Sequence, residues 1–204
     1  MKYEFKTQPF AHQKTALTRS WNKKSYGLFM EMGTGKSKVL IDTIGILYGK
    51  GAIDAAVIIA PKGVFKNWST KEIPDHMPEY IDRHVAVWSP APRKDEKAAL
   101  MKLFDVNVEK LKIFVINVEA LSTKKGVKFT ENFILGHQTL FAVDESTTIK
   151  NPKAARTKAI VKLAKNTKFK RLLTGSPITK SPLDLYSQTE VLGSAMLGYT
   201  SFYS

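Results

Sequence analysis

The sequence predicts a three-layer α/β domain with a mostly parallel central sheet. Short apolar segments rich in β-branched residues recur along the chain, and a helical segment separates each one from the next. These segments do not alternate with polar residues, which is typical of strands covered on both faces. Strands that alternate with helices form parallel sheets with right-handed crossovers. The length of 204 residues indicates a single domain.

Six strands are predicted, at residues 26–30, 55–60, 85–88, 113–118, 139–143 and 171–174. Helices are predicted at residues 12–21, 36–48, 64–76, 94–104, 128–135 and 152–165. Gly49 and Gly51 can end the second of these helices, and Pro152 suits the opening turn of the sixth. A further helix begins at Pro182. The aromatic segment 198–204 follows it without a stop signal, which is typical of a chain cut from a longer protein.

Composition excludes several classes of protein. A content of 43% hydrophobic and 25% charged residues excludes wholesale disorder. Because cysteine is absent, disulfides and thiolate metal sites are excluded, and a reducing compartment is compatible. The sequence has no apolar run long enough to span a membrane and no signal peptide, so we expect a cytoplasmic protein. The net charge of +14 favours a polyanionic partner, either nucleic acid or an anionic membrane surface.

A glycine-rich loop joins the first predicted strand to the helix that follows it, and it consists of Gly33, Thr34, Gly35, Lys36 and Ser37. The glycines let backbone N–H groups turn toward a phosphate, and the helix N-terminus adds partial positive charge. Lys36 can reach the β- and γ-phosphates of a nucleotide, and the Ser37 hydroxyl can ligate Mg²⁺. Met30 stands where the full pattern has its first glycine, so a surface turn with a chance lysine is the alternative. The strand–loop–helix context favours nucleotide binding.

Two adjacent acids, Asp144 and Glu145, follow the fifth predicted strand. Open α/β sheets bind their ligands at the carboxyl ends of the strands. Asp144 suits a partner of Mg²⁺, and Glu145 suits the group that orients and deprotonates an attacking water. The alternative is that these acids cap the next helix. Because a phosphate loop lies upstream, catalysis with ATP and Mg²⁺ is the favoured interpretation.

The chain also carries five ordered motifs, namely PFAHQ (9–13), EMGTGKS (31–37), IIAPKGVFKNWSTKE (58–72), DESTTIKNPKAARTKA (144–159) and LLTGSPITKSPLDLY (172–186). Together they resemble the first RecA-like lobe of a helicase superfamily-two ATPase of the Swi/Snf type, especially its small phage and bacterial members. The resemblance spans nearly the whole chain. It implies a P-loop domain of a motor that hydrolyses ATP to translocate along duplex DNA, often remodelling it.

The resemblance implies roles for individual residues. Gln13 would read the adenine edge, and Lys36 and Glu145 would act in catalysis. The residues that it places along the DNA are Lys62, Asn67, Asn117, Lys150 and Asn151. The motif that would couple the nucleotide state to the grip on DNA contains Thr174, Gly175 and Ser176.

Three matched positions have structural alternatives or depart from the family pattern. Trp68 lies on the apolar face of a predicted helix, where a core position is the commoner outcome, and Asn117 can simply cap a short helix at Glu119. Thr147 stands where relatives carry a histidine that links the ATP site to the coupling motif. The strength of DNA-stimulated hydrolysis is therefore open.

Basic residues concentrate at residues 150–171, where nine Lys or Arg and no acid occur in 22 residues. Lys158, Lys162 and Lys165 share one helix face by their spacing. A solvated surface is the alternative, but the absence of acids favours contact with nucleic acid. A second patch is possible at residues 122–128. About five phosphate contacts would give a salt slope of roughly −4 to −5 without sequence preference.

The family's motor needs a second lobe that supplies an arginine to the ATP site, and nothing after Tyr186 resembles one. We therefore expect residues 1–204 to be one lobe of a longer protein, with weak nucleotide binding and almost no turnover alone. Two other functions are considered. One is a nucleic-acid-binding module with a vestigial nucleotide site, and the other is an RNA helicase lobe.

Overall fold

A computed structural model describes residues 3–179 and 181–193. Its centre is one sheet of six strands, β1 (Ser25–Phe29), β2 (Ala55–Ala60), β3 (Arg83–Val87), β4 (Leu111–Asn117), β5 (Thr139–Asp144) and β6 (Phe169–Thr174). They are ordered β1-β6-β5-β2-β4-β3, and every neighbouring pair is parallel. The prediction of an α/β domain with a mostly parallel sheet is confirmed. The predicted aromatic end at 198–204 lies outside the described residues.

The helices are α1 (Ala11–Ser20), α2 (Lys36–Gly49), α3 (Phe65–Asn67), α4 (Ile73–His76), α5 (Lys94–Lys102), α6 (Lys124–Leu135), α7 (Ala155–Ala164) and α8 (Asp184–Leu192). They cover both faces of the sheet and complete the three layers. One core contains Leu40 and Ile44 of α2, and the other contains Phe133 of α6 and Leu163 of α7. In the described part of the chain, no helix is both long and apolar enough to cross a membrane.

Three predicted helices differ from the structure. The predicted helix at 64–76 consists of α3, a π-helical turn (Trp68–Glu72) and α4. Pro74, which has no N–H to donate to the preceding turn, lies two residues beyond the end of that wider turn. Pro152 does not open a helix, since α7 begins only at Ala155. The helix expected from residue 128 begins at Lys124, because the Thr123 hydroxyl caps it by accepting a hydrogen bond from the backbone N–H of Gly126 at 3.1 Å.

Arg171 on β6 is the largest charged side chain that is fully buried in the described part of the chain. Its guanidinium donates to the backbone carbonyls of Ser20 and Trp21, at 2.7 and 3.2 Å, where α1 ends. It also donates to the carbonyl of Lys170 at 2.7 Å, while its Nε has no hydrogen-bond partner among the described residues. Because carbonyls at a helix C-terminus carry partial negative charge, they take the place of an acidic partner. Arg171 thus fastens the end of α1 to β6, the second strand from one edge of the sheet.

Candidate functional site

The carboxyl ends of β1, β6 and β5 lie side by side at one rim of the sheet. Phe29 at the end of β1 lies opposite Thr174 of β6, and Leu173 of β6 lies opposite Asp144 of β5. The chain beyond β1 stays in contact with β6, since the backbone N–H of Met30 donates to the carbonyl of Thr174 at 3.2 Å. The fold therefore brings together the predicted phosphate loop, the acidic pair and the turn at residues 174–177, which we call the T-G-S-P turn.

The phosphate loop is bent at both of its glycines. Gly33 and Gly35 have φ angles of 75° and 83°, a region that residues with a side chain rarely adopt. Gly35 is also confined by space, because a Cβ there would overlap the side-chain amide of Gln13. The loop passes directly into α2, which begins at Lys36 and presents its N-terminus to the rim.

Lys36 points back across the loop. Its side-chain ammonium donates hydrogen bonds to the carbonyls of Met30 and Glu31, both at 3.0 Å, and the residue is only 8% exposed. The cation therefore lies over the mouth of the loop, where a phosphate would meet it. The hydroxyl of Ser37 has no hydrogen-bond partner among the residues that the structure describes, which leaves its oxygen available as a metal ligand.

Gln13 reaches the same loop from α1. Its side-chain nitrogen donates to the carbonyl of Thr34 at 3.0 Å, and its side-chain oxygen accepts a hydrogen bond from the backbone N–H of Phe10 at 3.0 Å. The Nε2 of His12 lies 2.9 Å from the same Thr34 carbonyl. Helix α1 therefore contacts the loop through two neighbouring side chains.

Asp144 is partly buried beside the loop, and its two carboxylate oxygens have different partners. Oδ1 accepts a hydrogen bond from the backbone N–H of Glu145 at 3.0 Å, and Oδ2 accepts one from the indole N–H of Trp68 at 3.1 Å. Burial raises the pKa of Asp144 to about 6, while the Trp68 hydrogen bond and the charge of Lys36 act in the opposite direction. Lys36 and Asp144 are thus close enough to interact electrostatically.

Glu145 has a strained backbone. Its φ of 45° and ψ of 60° place it in the left-handed region, and it is the only residue other than glycine with positive φ in the described part of the chain. Such strain in a residue with a side chain costs free energy and is frequent at functional sites. The carboxylate has no hydrogen-bond or ion-pair partner among the described residues. It is therefore available to a ligand at the rim.

The T-G-S-P turn rests on the phosphate loop. A Cβ at Gly175 would lie 3.2 Å from the Cγ of Met32 and 3.3 Å from its backbone nitrogen. The backbone N–H of Ser176 donates to the hydroxyl of Thr174 at 3.2 Å, which holds the turn tight. A change in the shape of the loop would therefore press directly on this turn.

A second connection links the acidic pair to the same turn. Ser146 and Gln188 are both buried, and the Ser146 hydroxyl donates to the Gln188 side-chain oxygen at 2.6 Å. The Gln188 side-chain nitrogen donates to the carbonyls of Pro177 and Asp184, both at 2.7 Å. Sequence reasoning missed Gln188, because no local pattern marks a glutamine on α8 as a partner of residues near the acids.

The predicted DNA contacts lie in two groups along the rim. Lys62 and Asn67 are exposed after β2, and Asn117 ends β4 opposite Ala60 of β2. Lys62 and Asn117 line a groove of about 950 Å³ beside β3, which is separate from the phosphate loop. The lining of the groove also contains Asp95, Glu96 and Glu119, and the side-chain nitrogen of Asn117 donates to the carboxylate of Glu119 at 3.2 Å. These acids would oppose the binding of phosphates within the groove.

The second group lies after the acidic pair. The ammonium of Lys150 donates to the hydroxyl of Thr179 at 2.6 Å, and the Asn151 side-chain oxygen accepts a hydrogen bond from the backbone N–H of Lys153 at 3.0 Å. Both predicted DNA residues are therefore engaged within the chain. Helix α7 runs back from the rim to the start of β6. At 1.5 Å per residue, its length carries its exposed lysines up to about 15 Å away from the rim.

No group of three or more His, Asp or Glu side chains in the described residues could hold a metal ion by itself. Mg²⁺ bound with a nucleotide takes one or two protein oxygens and completes its shell with phosphates and waters. The partly buried carboxylate of Asp144 and the hydroxyl of Ser37 fit that requirement.

The parallel sheet, its strand order and the loop at its rim define an α/β domain of the RecA-like class. The chain belongs to the SNF2-related domain family, which it matches over residues 12–204. Comparison with curated proteins found no match.

Solved structures share the fold. The SWI2/SNF2 ATPase core of Sulfolobus solfataricus in complex with dsDNA is 20% identical with a TM-score of 0.74, and the match covers 100% of this chain and 39% of that chain. The core domain of the same ATPase is 24% identical with a TM-score of 0.70, covering 100% and 38%. The UvsW helicase from bacteriophage T4 is 13% identical with a TM-score of 0.62, covering 91% and 58%.

Proposed function

We propose that this chain is the ATP-binding lobe of a DNA-dependent ATPase of the helicase type, which moves along or remodels duplex DNA. Membership in the SNF2-related domain family supports this function. The single observation that carries it is the meeting of Lys36, Asp144 and the T-G-S-P turn at one rim, where the ends of three adjacent strands lie. A nucleotide bound there would touch the residues for phosphate binding, metal binding and coupling at once.

The residues of the site divide the chemistry among them. Lys36 would exchange its two carbonyl partners for phosphate oxygens, and the backbone N–H groups of residues 33–37 would surround the same anion. Gln13, fixed to the loop, would contact the adenine. Ser37 and Asp144 would hold Mg²⁺, which supplies positive charge to the phosphates. Glu145 would orient a water and accept its proton.

The DNA would lie along the basic part of the rim. Lys62, Asn67 and Asn117 are placed to contact a phosphate backbone, and we propose that Lys150 and Asn151 extend this surface when their internal hydrogen bonds are released. The Sulfolobus solfataricus ATPase core was solved in complex with dsDNA, which supports duplex DNA as the partner. Contacts of this kind position a protein without reading sequence. A motor on DNA is also consistent with a cytoplasmic location.

We also propose that the chain is one of two lobes. It spans 39% of the Sulfolobus solfataricus chain that it matches, which leaves room for a second lobe in a longer protein. An arginine from such a lobe is worth about 10³ to 10⁵ in rate in related phosphate-loop enzymes. The 204-residue chain alone should therefore bind nucleotide weakly and hydrolyse almost none.

Calorimetric titration of the chain with Mg·ATP tests the nucleotide site. Lys36→Ala should weaken binding about 10- to 100-fold, because it removes a charge-assisted contact worth about 1.5–3 kcal/mol. The matched control is Lys14→Ala, which removes an exposed lysine from α1 and should change nothing. Absence of ATP affinity together with tight, salt-sensitive DNA binding would instead support a nucleic-acid-binding module with a vestigial site.

Two further measurements test the enzyme. Glu145→Gln should spare ATP binding and abolish hydrolysis in the complete protein, and unchanged turnover would contradict the assigned role. Competition between duplex DNA and RNA of the same length for the chain should favour DNA. Preference for RNA would support an RNA helicase lobe.

A further inference from the structure

Trp68 connects two parts of the rim that are distant in the sequence, namely the segment after β2 and the acidic pair after β5. It begins the π-helical turn (Trp68–Glu72) and follows directly after Asn67, in the segment proposed to contact DNA. Its indole N–H reaches across to the Oδ2 of Asp144, the proposed metal ligand, at 3.1 Å. The contact spans adjacent strands, since β2, which leads into this segment, pairs with β5, which ends at Asp144.

This contact fixes the orientation of the carboxylate. Oδ2 is held by the indole N–H, and Oδ1 is held by the backbone N–H of Glu145 at 3.0 Å. Because each oxygen accepts a hydrogen bond from a different donor, the carboxylate has little freedom to rotate. Each oxygen keeps a further lone pair, so the carboxylate can still ligate a cation from a defined direction.

Core packing alone does not explain the contact. Trp68 is 2% exposed and Trp88 on the other side of the sheet is 4% exposed, so the two indoles are equally buried. Trp88 packs against Phe114 and Phe129, and its indole donates to no carboxylate among the described residues. The π-helical turn lies at Trp68, and such turns are frequent at functional sites.

We propose that Trp68 is a positioning residue of the metal site, which aims the Asp144 carboxylate at the ion and ties its position to the segment at residues 62–72. The inference rests on the proposed function, because it takes Asp144 as a ligand of nucleotide-bound Mg²⁺. It also gives the proposed DNA-contacting segment a direct physical connection to the ATP site. A displacement of that segment would move the carboxylate through one hydrogen bond.

The first test measures the wild-type chain, and variants serve only to assign its resonances. The chain contains three tryptophans, so the ¹⁵N-labelled protein gives three indole N–H resonances, which Trp68→Phe and Trp88→Phe assign. Mn²⁺ is added with ADP as a paramagnetic substitute for Mg²⁺. The Trp68 resonance should broaden beyond detection, because its N–H touches a ligand of the ion. The Trp88 resonance should broaden less at the same Mn²⁺ concentration, since β3 lies three strand spacings, about 14 Å, from β5, and relaxation by the ion falls steeply with distance.

The second test compares matched substitutions by calorimetry with ADP and Mg²⁺. Trp68→Phe keeps an aromatic ring and removes the donor, so it should weaken the Mg²⁺-dependent part of ADP binding about 10- to 100-fold, as loss of a partner of a metal ligand does. Binding of ADP in the absence of Mg²⁺ should stay within about twofold, since the phosphate loop is untouched. Trp88→Phe removes the same donor from the other core and should leave both quantities unchanged.

These outcomes distinguish the proposed metal site at Asp144 from the proposed positioning role of Trp68. If the wild-type chain binds ADP with no dependence on Mg²⁺ or Mn²⁺, the proposed metal site is wrong and this inference fails with it. If metal-dependent binding is present but the Trp68 resonance stays sharp, only the inference is overturned. The same holds if Trp68→Phe and Trp88→Phe bind Mg·ADP equally well.

Discussion

The Ser146 hydroxyl donates a hydrogen bond of 2.6 Å to the side-chain oxygen of Gln188, and this bond joins the acidic motif to α8. The other end of the same amide holds the carbonyl of Pro177 in the T-G-S-P turn at 2.7 Å. A single buried side chain thus bridges the residue after the acidic pair and the turn that rests on the phosphate loop. Ser146 directly precedes Thr147, the position where the family resemblance implies a histidine that links the ATP site to the coupling motif.

Gln188→Leu should destabilise the chain because it removes the partner of the buried Ser146 hydroxyl and the side-chain donor to the carbonyl of Pro177. Each buried polar group left without a partner costs about 1–3 kcal/mol, so the free energy of unfolding should fall by about 2 kcal/mol or more. Urea unfolding of the chain measures the loss.

The matched control for Gln188→Leu is Thr189→Val, because the Thr189 hydroxyl bonds only to carbonyls of its own helix. A loss of equal size in the two variants would contradict the bridge. In the complete protein, Gln188→Leu should lower DNA-stimulated turnover more than it lowers ATP affinity.

The Asp144 carboxyl should titrate near pH 6 in the folded chain, because burial raises its pKa from the ordinary 3.8 to about 6. Folding therefore favours its protonated form, and native stability contributed by this group rises as pH falls from about 7 toward 4. The carboxyl ¹³C shift measures the midpoint directly. Asp82 is the internal control, since its hydrogen bond with Lys110 lowers its pKa. A midpoint near 4 for Asp144 would show that the site is solvated.

Glu145→Gly should be more stable than Glu145→Ala. Glycine adopts the left-handed backbone without strain, whereas alanine would still be strained there. The difference in the free energy of unfolding should be about 1 kcal/mol. Both variants lose the carboxylate, so its charge cancels from the comparison. At Glu119, where φ is not positive, the order should reverse and alanine should be the more stable by about 0.5–1 kcal/mol. Equal stability of the two Glu145 variants would exclude stored strain.

Two lysines test which part of the basic surface meets DNA. Lys62 is exposed at the rim, whereas Lys165 is exposed where α7 ends, on the opposite side of the domain. Lys62→Ala should weaken duplex DNA binding regardless of sequence and reduce the slope of log K against log salt by about 1. Lys165→Ala should leave both within error. Fluorescence anisotropy at several salt concentrations measures the slope, and equal effects would mean that the flank of α7 also binds DNA.

The strands could be predicted from the sequence because their signal is local. Mainly apolar segments mark every strand of the sheet within a few residues, and glycines mark the phosphate loop. The rim site followed from the strands, since parallel strands place their carboxyl ends on one edge. Lys36 and Asp144 could therefore be placed together before any coordinates, whereas Gln13 was assigned to the nucleotide only by the family resemblance, and the strand order could not be predicted.

What the sequence could not predict depends on contacts between distant segments. The hydrogen bond from Trp68 to Asp144 spans 76 positions, and the one from Ser146 to Gln188 spans 42. Neither has a periodic or spacing signal. The engagement of Lys150 by Thr179 is of the same kind, and it explains why a lysine assigned to DNA lies bonded within the chain. The π-helical turn was also missed, because apolar periodicity does not distinguish it from an α-helix.

Arg171 makes the attachment of α1 insensitive to the solvent. Its partners are backbone carbonyls, which neither titrate nor attract counterions, and its pKa, lowered by burial to about 10, keeps it charged at neutral pH. Ionic strength that dissociates exposed lysines from phosphates leaves this joint unchanged. Helix α1, which carries the proposed adenine contact Gln13, therefore stays attached to β6 at salt concentrations that would weaken the proposed DNA contacts, so the two can vary independently within one small domain.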